Sequence, residues 1–259
     1  MLTCGQTEIR NIMTMINKTI AVCNQKGGVA KTTSTAAISS ELARRGYKVL
    51  MIDLDSQGSL SKIFLKNDPE ETIADTLNDG IYPIVSVTDR LDIIPCNTDI
   101  SSVAQAMNEP DDRKILAKAL KKIKGEYDFI VLDCSPSFNF ITINALSAAD
   151  FILVPCQTSK TSMDAIAQVS DACCSAAPPT HIHGAFFTMY DPRPCINRRI
   201  ETMLRSKYCD LFFETQIRKS VKVEEAVMEH KDIINYDAAS NPAKDYQALV
   251  EEIITRFVK

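Results

Sequence analysis

The chain has 259 residues, with 29 Lys and Arg against 33 Asp and Glu, so its formal net charge is −4. Its 45% hydrophobic and 24% charged content is typical of a globular protein, and its 8 Gly and 11 Pro exclude collagen-like or low-complexity architecture. Taken as a whole, a mildly acidic chain argues against a nucleic-acid partner. The length suits one large α/β domain.

The ends of the chain suggest a short extension followed by one domain. Residues 1–17 lack the apolar stretch of a signal peptide, and we expect them to form a flexible N-terminal extension. No linker, repeat or composition break interrupts residues 18–259, which we expect to form a single domain. No run approaches the roughly 20 apolar residues that span a bilayer, so we expect a cytoplasmic protein without a membrane partner.

The nine cysteines show neither a disulfide framework nor metal-ligand spacing, because the sequence has no C-x-x-C. Their position in apolar runs, such as the one ending at Cys23, predicts small buried side chains in a reducing compartment. His181 and His183 could form a metal pair, but no third ligand is evident. We favour the lead-in to a strand as their interpretation.

Short apolar runs alternate with longer amphipathic stretches. Near-continuous β-branched and apolar runs are typical of strands buried on both faces, and they predict strands at 19–23, 49–53, 91–95, 129–133, 151–155 and 184–189. Crossover helices are predicted between them, at 32–45, 111–124 and 162–176. The alternation predicts an α/β fold with a doubly wound, mostly parallel sheet and helices on both faces.

A glycine-containing loop, residues 24–33, follows the first predicted strand and opens the first helix. In this position backbone N–H groups and the helix N-terminus point at an anion, and Lys31 can reach the β- and γ-phosphates of a nucleotide. The standard G-x-x-x-x-G-K-[ST] pattern fails, because Gln25 and Ala30 occupy its two glycine positions. A simple turn between strand and helix therefore stays open as an alternative.

Two further predicted strands end in carboxylates. Asp53 and Asp55 follow one apolar run, and Asp133 closes another. A single Asp at such a position is more often a helix cap or a turn former. In an open α/β sheet, however, ligands bind at the carboxyl ends of the strands. Carboxylates at two strand ends beside a glycine-rich loop match the needs of Mg²⁺-assisted phosphoryl transfer.

These residues carry a family resemblance. The segment 26–33, Lys-Gly-Gly-Val-Ala-Lys-Thr-Thr, resembles the deviant Walker A motif of the ParA/MinD ATPases, which are P-loop NTPases. Residues 53–58 are similar to the first switch of that family, and residues 132–137 to its Walker B motif and second switch. The resemblance covers about residues 18–258, and the ParA branch, which partitions chromosomes or plasmids, fits best.

The resemblance implies ATP hydrolysis with three catalytic residues. Lys31 would hold the β- and γ-phosphates, Asp55 would orient the attacking water, and Lys26 would reach across a dimer interface to the partner's nucleotide. Because the site is incomplete in a monomer, the chain would form a homodimer on binding ATP, and its own turnover would be weak.

The resemblance also implies Mg²⁺ and a set of nucleotide contacts. The metal would be held by Thr32, Asp53 and Asp133, with Asp133 acting through water. The nucleotide would touch Gly27, Gly28, Val29, Ala30, Lys31, Thr32, Thr33, Met189 and Asp191. The chain departs from the family where Ala30 replaces a usual Gly and where Ser135 and Arg218 replace usual prolines.

Charge is unevenly distributed along the chain. Residues 193–222 hold eight basic and three acidic residues, a net +5, which leaves −9 on the rest. A basic segment on an acidic body is a footprint for polyanions, although a solvated helix face is the alternative from charge alone. The ParA resemblance favours nonspecific double-stranded DNA, contacted through phosphates by Arg193, Arg218, Lys219 and Lys222.

We therefore expect a nucleoid-associated partition ATPase that binds DNA as an ATP-bound dimer and is stimulated by a ParB-like partner. A MinD-like membrane-positioning ATPase is one alternative, but residues 245–259 hold only two basic residues against three acids. A redox protein like the nitrogenase iron protein is disfavoured by the missing cluster cysteines. An ATP-locked, DNA-bound scaffold with negligible turnover stays open because of Ala30.

Overall fold

The computed structural model describes residues 16–258, so most of the expected extension at 1–17 lies outside the described residues. Eight strands span these residues: β1 Lys18–Val22, β2 Val49–Leu54, β3 Val85–Thr88, β4 Leu91–Ile94, β5 Phe129–Cys134, β6 Phe151–Cys156, β7 Gly184–Tyr190 and β8 Phe212–Arg218. The helices are α1 Lys31–Arg44, α2 Ser59–Phe64, α3 Ile73–Asp79, α4 Ile100–Ala106, α5 Ile115–Leu120, α6 Phe140–Ala148, α7 Ser162–Cys174, α8 Cys195–Tyr208, α9 Lys222–Met228, α10 Ile233–Tyr236 and α11 Asn241–Phe257.

All eight strands form one sheet in the order β3-β4-β2-β5-β1-β6-β7-β8. Every neighbouring pair is parallel except β3 with β4. The strand order reverses direction around β1, so the loop after β1 lies at the switch point where open α/β sheets bind ligands. The predicted doubly wound, mostly parallel sheet is confirmed.

Alternate residues of the central strands enter two separate apolar cores, one on each face of the sheet. Ala21 and Ile52 belong to the core under α3 to α8, whereas Ile20 and Met51 belong to the core under α1, α2, α10 and α11. Both faces of β1 and β2 are therefore buried, which is why residues 20–22 and 49–52 are all apolar.

The helix predicted at 111–124 is wrong as a continuous element. The chain forms a 3₁₀ turn at Pro110–Lys114, then α5, then a second 3₁₀ turn at Lys124–Glu126. A buried amide from α6 inserts at the first break: Asn144 Nδ2 donates to Asp112 O at 2.6 Å, and Asn144 Oδ1 accepts from Leu116 N at 3.0 Å. These two backbone groups would pair with each other in a regular helix, so the tertiary contact replaces a helical hydrogen bond.

Most of the described cysteines are buried, as the sequence predicts. Five of the eight described cysteines are buried, whereas Cys174, Cys195 and Cys209 are exposed.

His183 immediately precedes β7, and its Nδ1 accepts from Ile152 N at 3.1 Å, as suits the lead-in to a strand. Between residues 16 and 258, none of the helices combines the length and the apolar character needed to cross a membrane.

Replacing Gly184 by Ala should destabilise the fold. A Cβ at this buried position would lie 2.4 Å from Phe213 Cε2 and 3.3 Å from Leu153 Cδ2, so β7 or the ring must shift. We expect the free energy of unfolding to fall by about 2 kcal/mol, measured by urea denaturation. The same exchange at Gly125, where a Cβ meets nothing within 4 Å, is the control. Equal stability of the two variants would contradict this account.

Candidate functional site

The loop between β1 and α1 is anchored by a buried amide. Asn24 Nδ2 donates to Pro155 O at 2.7 Å, and Asn24 Oδ1 accepts from Lys26 N at 2.9 Å. Two contacts from neighbouring strands hold the middle of the loop: Gln157 Nε2 donates to Gly28 O at 3.1 Å, and Thr188 Oγ1 donates to Val29 O at 3.1 Å. The loop is therefore held by the carboxyl ends of β6 and β7.

The first turn of α1 presents backbone N–H groups without a side-chain cap. Ala30, the residue before the helix, adopts a left-handed conformation with φ 65° and ψ 33°, and its side chain accepts no hydrogen bond. Gly28 also has a positive φ of 68°, and a Cβ at Gly27 or Gly28 would meet nothing within 4 Å. Open space in front of an uncapped helix N-terminus is the geometry of an anion site.

Two lysines belong to this loop and helix start. The side chain of Lys31 is buried, with 7% of the residue exposed, and its Nζ donates to Lys26 O at 3.3 Å. The half-buried Lys26 places its own Nζ 3.2 Å from Gln157 Oε1 and 3.2 Å from Ser159 Oγ. The site residues Lys26, Gly27, Gly28, Val29, Ala30, Lys31, Thr32 and Thr33 are thus brought together as one loop and helix start.

The two strand-terminal carboxylates lie side by side. Asp53 on β2 is in register with Asp133 on β5, and both are fully buried. Asp53 accepts hydrogen bonds from Ser61 N at 2.9 Å, Ser61 Oγ at 2.8 Å and Asp55 N at 3.1 Å. Burial nevertheless raises the pKa of Asp53 from 3.8 to about 6. Ser61, in α2, is thus a partner of Asp53 that sequence reasoning missed.

Asp133 carries an orphaned oxygen. Its Oδ1 accepts from Thr35 Oγ1 at 3.3 Å, whereas its Oδ2 is buried without a hydrogen-bond partner. Burial, followed by the negative charge of Asp53, raises the pKa of Asp133 well above its ordinary value, and the nearby Thr32 hydroxyl and the charge of Lys31 oppose this. An unsatisfied carboxylate oxygen beside a hydroxyl is a donor set that suits Mg²⁺ and its bound waters.

Asp55 lies at the start of the segment that leads from β2 to α2. Its Oδ1 accepts from Gln57 N at 3.0 Å, and Gly58 N donates to Asp55 O at 2.8 Å. Gly58 has φ 60°, and a Cβ there would lie 2.9 Å from Cys96 O, so only glycine fits this turn. Asp55 is half-buried and begins the turn that ends against the Cys96 backbone.

Two of the expected nucleotide contacts, Met189 and Asp191, lie at the end of β7 and directly after it. Met189 has a positive φ of 48°, and its Sδ lies 3.6 Å from Gln157 Nε2. Asp191 forms a bidentate pair with Arg193, and hydrogen bonds from Arg193 lower the pKa of Asp191 to about 2. Met189 therefore contacts the residue that holds the loop, whereas the Asp191 carboxylate is paired with a cation.

Strand pairing brings the four expected DNA contacts to one edge of the molecule. Tyr190 is in register with Arg218, which places the segment at 191–193 beside the segment at 218–222. Three of the four cations already have a carboxylate partner: Arg193 with Asp191, Arg218 with Asp245, and Lys222 with Glu225. Lys219 is exposed. The edge is basic, but its charges are partly neutralised within the chain.

Some residues that hold the loop escaped sequence reasoning. The sequence places Asn24 in the predicted loop without indicating a role for its side chain, and it assigns no role to Gln157 or Thr188, although all three lie within two residues of the end of a predicted strand. A polar side chain at the carboxyl end of a central parallel strand was the available signal. The anion-binding loop and the paired carboxylates together define the site of a P-loop nucleotide-binding protein.

Comparison with known proteins agrees with this class. The family described as an AAA domain matches residues 17–175. The chromosome-partitioning ATPase Soj of Treponema pallidum is 33% identical over 250 residues, which cover 93% of this chain and 98% of that protein. The chromosome partitioning protein ParA of Caulobacter vibrioides is 32% identical over 253 residues, covering 92% and 94%. The chain belongs to the ParA/MinD family of P-loop ATPases, in its ParA/Soj branch.

A solved structure of similar fold carries a nucleotide. A cobyrinic acid a,c-diamide synthase from Mycobacterium smegmatis, with bound ADP and magnesium, superposes with a TM-score of 0.76 at 27% identity. The match covers 92% of this chain and 94% of that chain. The fold thus occurs in a protein that binds a nucleotide with magnesium.

Replacing Ala30 by Gly should stabilise the protein. A left-handed conformation strains alanine but not glycine, so we expect the free energy of unfolding to rise by about 0.5–1 kcal/mol. Ala43→Gly, within α1, is the matched control and should lower it by a similar amount. Urea denaturation of both variants measures the difference. A loss of stability in Ala30→Gly would contradict the strain assigned to Ala30.

Stability of the nucleotide-free protein should depend on pH through Asp53. Because the pKa rises from 3.8 to about 6 on folding, the folded state binds the proton more tightly, and stability is lost as pH rises through this window. Wild type should therefore gain stability relative to Asp53→Asn when the pH falls from about 7 to about 5. Chemical denaturation of both proteins across this range tests it, and a constant difference would contradict it.

Proposed function

We propose that the chain is an ATP-dependent partition ATPase that dimerises on binding ATP, binds DNA without sequence preference, and hydrolyses ATP to ADP. The observation that carries the nucleotide site is the uncapped first turn of α1 beside the buried Lys31 and the orphaned Oδ2 of Asp133. Together these groups offer N–H donors and a cation to phosphates, and an acceptor to a hydrated metal.

The loop residues would bind the triphosphate. Backbone N–H groups at 27–33 would surround the phosphates, Lys31 would contact the β- and γ-phosphates, and Thr33 the α-phosphate. Mg²⁺, held by Thr32 and through water by Asp133, would neutralise charge that develops on the phosphates. Asp53 would support this arrangement from β2, where three donors already fix its carboxylate.

Hydrolysis would need groups from two chains. Asp55 would orient the attacking water, since it begins the turn between β2 and α2 and its carboxylate accepts a hydrogen bond from Gln57 N. Lys26 would serve the nucleotide of the partner subunit, so that each site is complete only in a dimer. ATP would thus select the dimer, and hydrolysis would release it.

The basic edge formed by Arg193, Arg218, Lys219 and Lys222 would contact DNA phosphates. The side chain of Arg193 is 86% exposed, and exposed ion pairs are worth little, so phosphates can displace its Asp191 partner. Dimerisation would double this edge and strengthen binding through two linked sites. A ParB-like partner would stimulate hydrolysis, and the protein would be cytoplasmic and associated with the nucleoid.

Two structural features bear on the alternative functions, which are a MinD-like membrane ATPase and an ATP-locked scaffold. The apolar residues of α11, including Tyr246, Leu249 and Ile253, are buried against the sheet, which leaves no free apolar face for the membrane-binding helix of a MinD-like protein. An ATP-locked scaffold is the second candidate, because Ala30 stands where the family usually has Gly and adopts a left-handed conformation. Steady-state ATPase assays with DNA and partner separate the scaffold from the ATPase.

DNA binding by the full chain should require ATP and fall steeply with salt. In mobility-shift assays on arbitrary duplexes, replacing both Arg193 and Lys222 by Ala should lower affinity for every sequence by about tenfold and flatten the salt dependence. Lys118→Ala, an exposed lysine on α5, is the control and should bind as wild type. Binding that ignores ATP, or that does not weaken with salt, would contradict the proposed function.

A further inference from the structure

We propose that Gln157 and Ser159 form a latch that holds Lys26 within its own chain, and that release of this latch sets how readily two ATP-bound copies close on each other. The inference rests on the proposed function, in which Lys26 serves the nucleotide of the partner subunit. Lys26 Nζ lies 3.2 Å from Gln157 Oε1 and 3.2 Å from Ser159 Oγ. Two of the three N–H donors of this ammonium group are engaged within the chain, so they must be released before all three can bind phosphates of a second subunit.

Both acceptors of the latch are held in place by hydrogen bonds to groups other than Lys26. Gln157 Nε2 donates to Gly28 O at 3.1 Å, which turns the Oε1 atom of the same amide toward Lys26. Ser159 N donates to Gln157 O at 2.9 Å, and Ser159 Oγ lies 2.9 Å from Ser162 Oγ. The two acceptors at the end of β6 are therefore held by other groups of the chain, so they lose little side-chain entropy when Lys26 binds them.

The hydrogen bonds of the latch hold Lys26 in the free chain, but a triphosphate in the partner subunit can compete with them. Both acceptors are neutral, so the hydrogen bonds lack the charge pairing that a carboxylate would add. A triphosphate in the partner subunit offers Lys26 more negative charge than these two oxygens. A nucleotide that lacks the γ-phosphate offers less. The latch lowers the affinity of every dimer by the same factor, so the ratio of the two affinities is unchanged, and the weaker ADP-bound dimer dissociates at protein concentrations where the ATP-bound dimer persists.

Two substitutions at Ser159 should move dimerisation in opposite directions. Ser159→Ala removes one acceptor and should tighten the dimer by about fivefold. Ser159→Asp adds a carboxylate beside Lys26 and should weaken the dimer by about threefold or more. Thr161→Ala is the matched control, because the Thr161 hydroxyl contacts Ser159 Oγ but not Lys26. Sedimentation velocity with Mg²⁺ and a nonhydrolysable ATP analogue gives the dimer dissociation constants.

The affinity of each variant for a fluorescent ADP analogue shows whether the loop itself is intact. Opposite shifts of the two Ser159 variants with unchanged ADP affinity support the latch. Shifts in the same direction would mean that Ser159 only supports the loop or receives Lys26 inside the dimer, and would overturn the latch. If wild type dimerises and the Ser159 variants do not differ from it, the latch fails alone. If wild type does not dimerise with the analogue, the proposed function fails as well.

Discussion

Backbone N–H groups at the first turn of α1 face open space at the carboxyl edge of the sheet. Ala30 gives this turn no side-chain cap, and the loop before it has no Cβ at Gly27 and Gly28 to fill the space. Because an uncapped helix N-terminus carries partial positive charge, it favours an anion in front of it. The strand order places the loops after β2, β5, β6 and β7 around the same point.

Two buried carboxylates lie near this turn in the nucleotide-free protein. Asp53 and Asp133 are adjacent and buried, and burial raises the pKa of each. Asp53 is satisfied by donors from α2, but Asp133 keeps a bare oxygen. A phosphate at the helix and a hydrated cation at Asp133 would satisfy the N–H groups and the carboxylates together. The fold thus keeps buried polar groups whose partners a bound nucleotide would supply.

Much of the fold could be predicted because strand segments buried on both faces are apolar, as residues 20–22, 49–52, 129–132 and 152–154 are. The edge strand β3 is largely exposed and β8 is partly polar, so neither has that pattern. The break before α5 depends on Asn144, a residue about 30 positions along the chain, and local sequence does not report such contacts.

The motif residues of the candidate site could be predicted from the sequence, but the residues that hold the loop in place could not. Lys31, Asp53 and Asp133 stand at recognisable ends of strands and helices. Gln157 contacts the loop only because β6 lies next to β1, which no local pattern reveals. Likewise, a count of basic residues at 193–222 does not show that Asp245, from α11, neutralises Arg218.

In the proposed function, each nucleotide site is shared between two chains. Mixing Lys26→Ala with Asp55→Ala tests it, because each variant alone would lack a group in every site. In a mixed dimer, the nucleotide on the Lys26→Ala chain would find Asp55 in its own chain and Lys26 in its partner. Random assortment then predicts that ATP hydrolysis in the presence of DNA recovers to about a quarter of the wild-type rate. A mixture that stays as inactive as either variant alone would contradict a shared site.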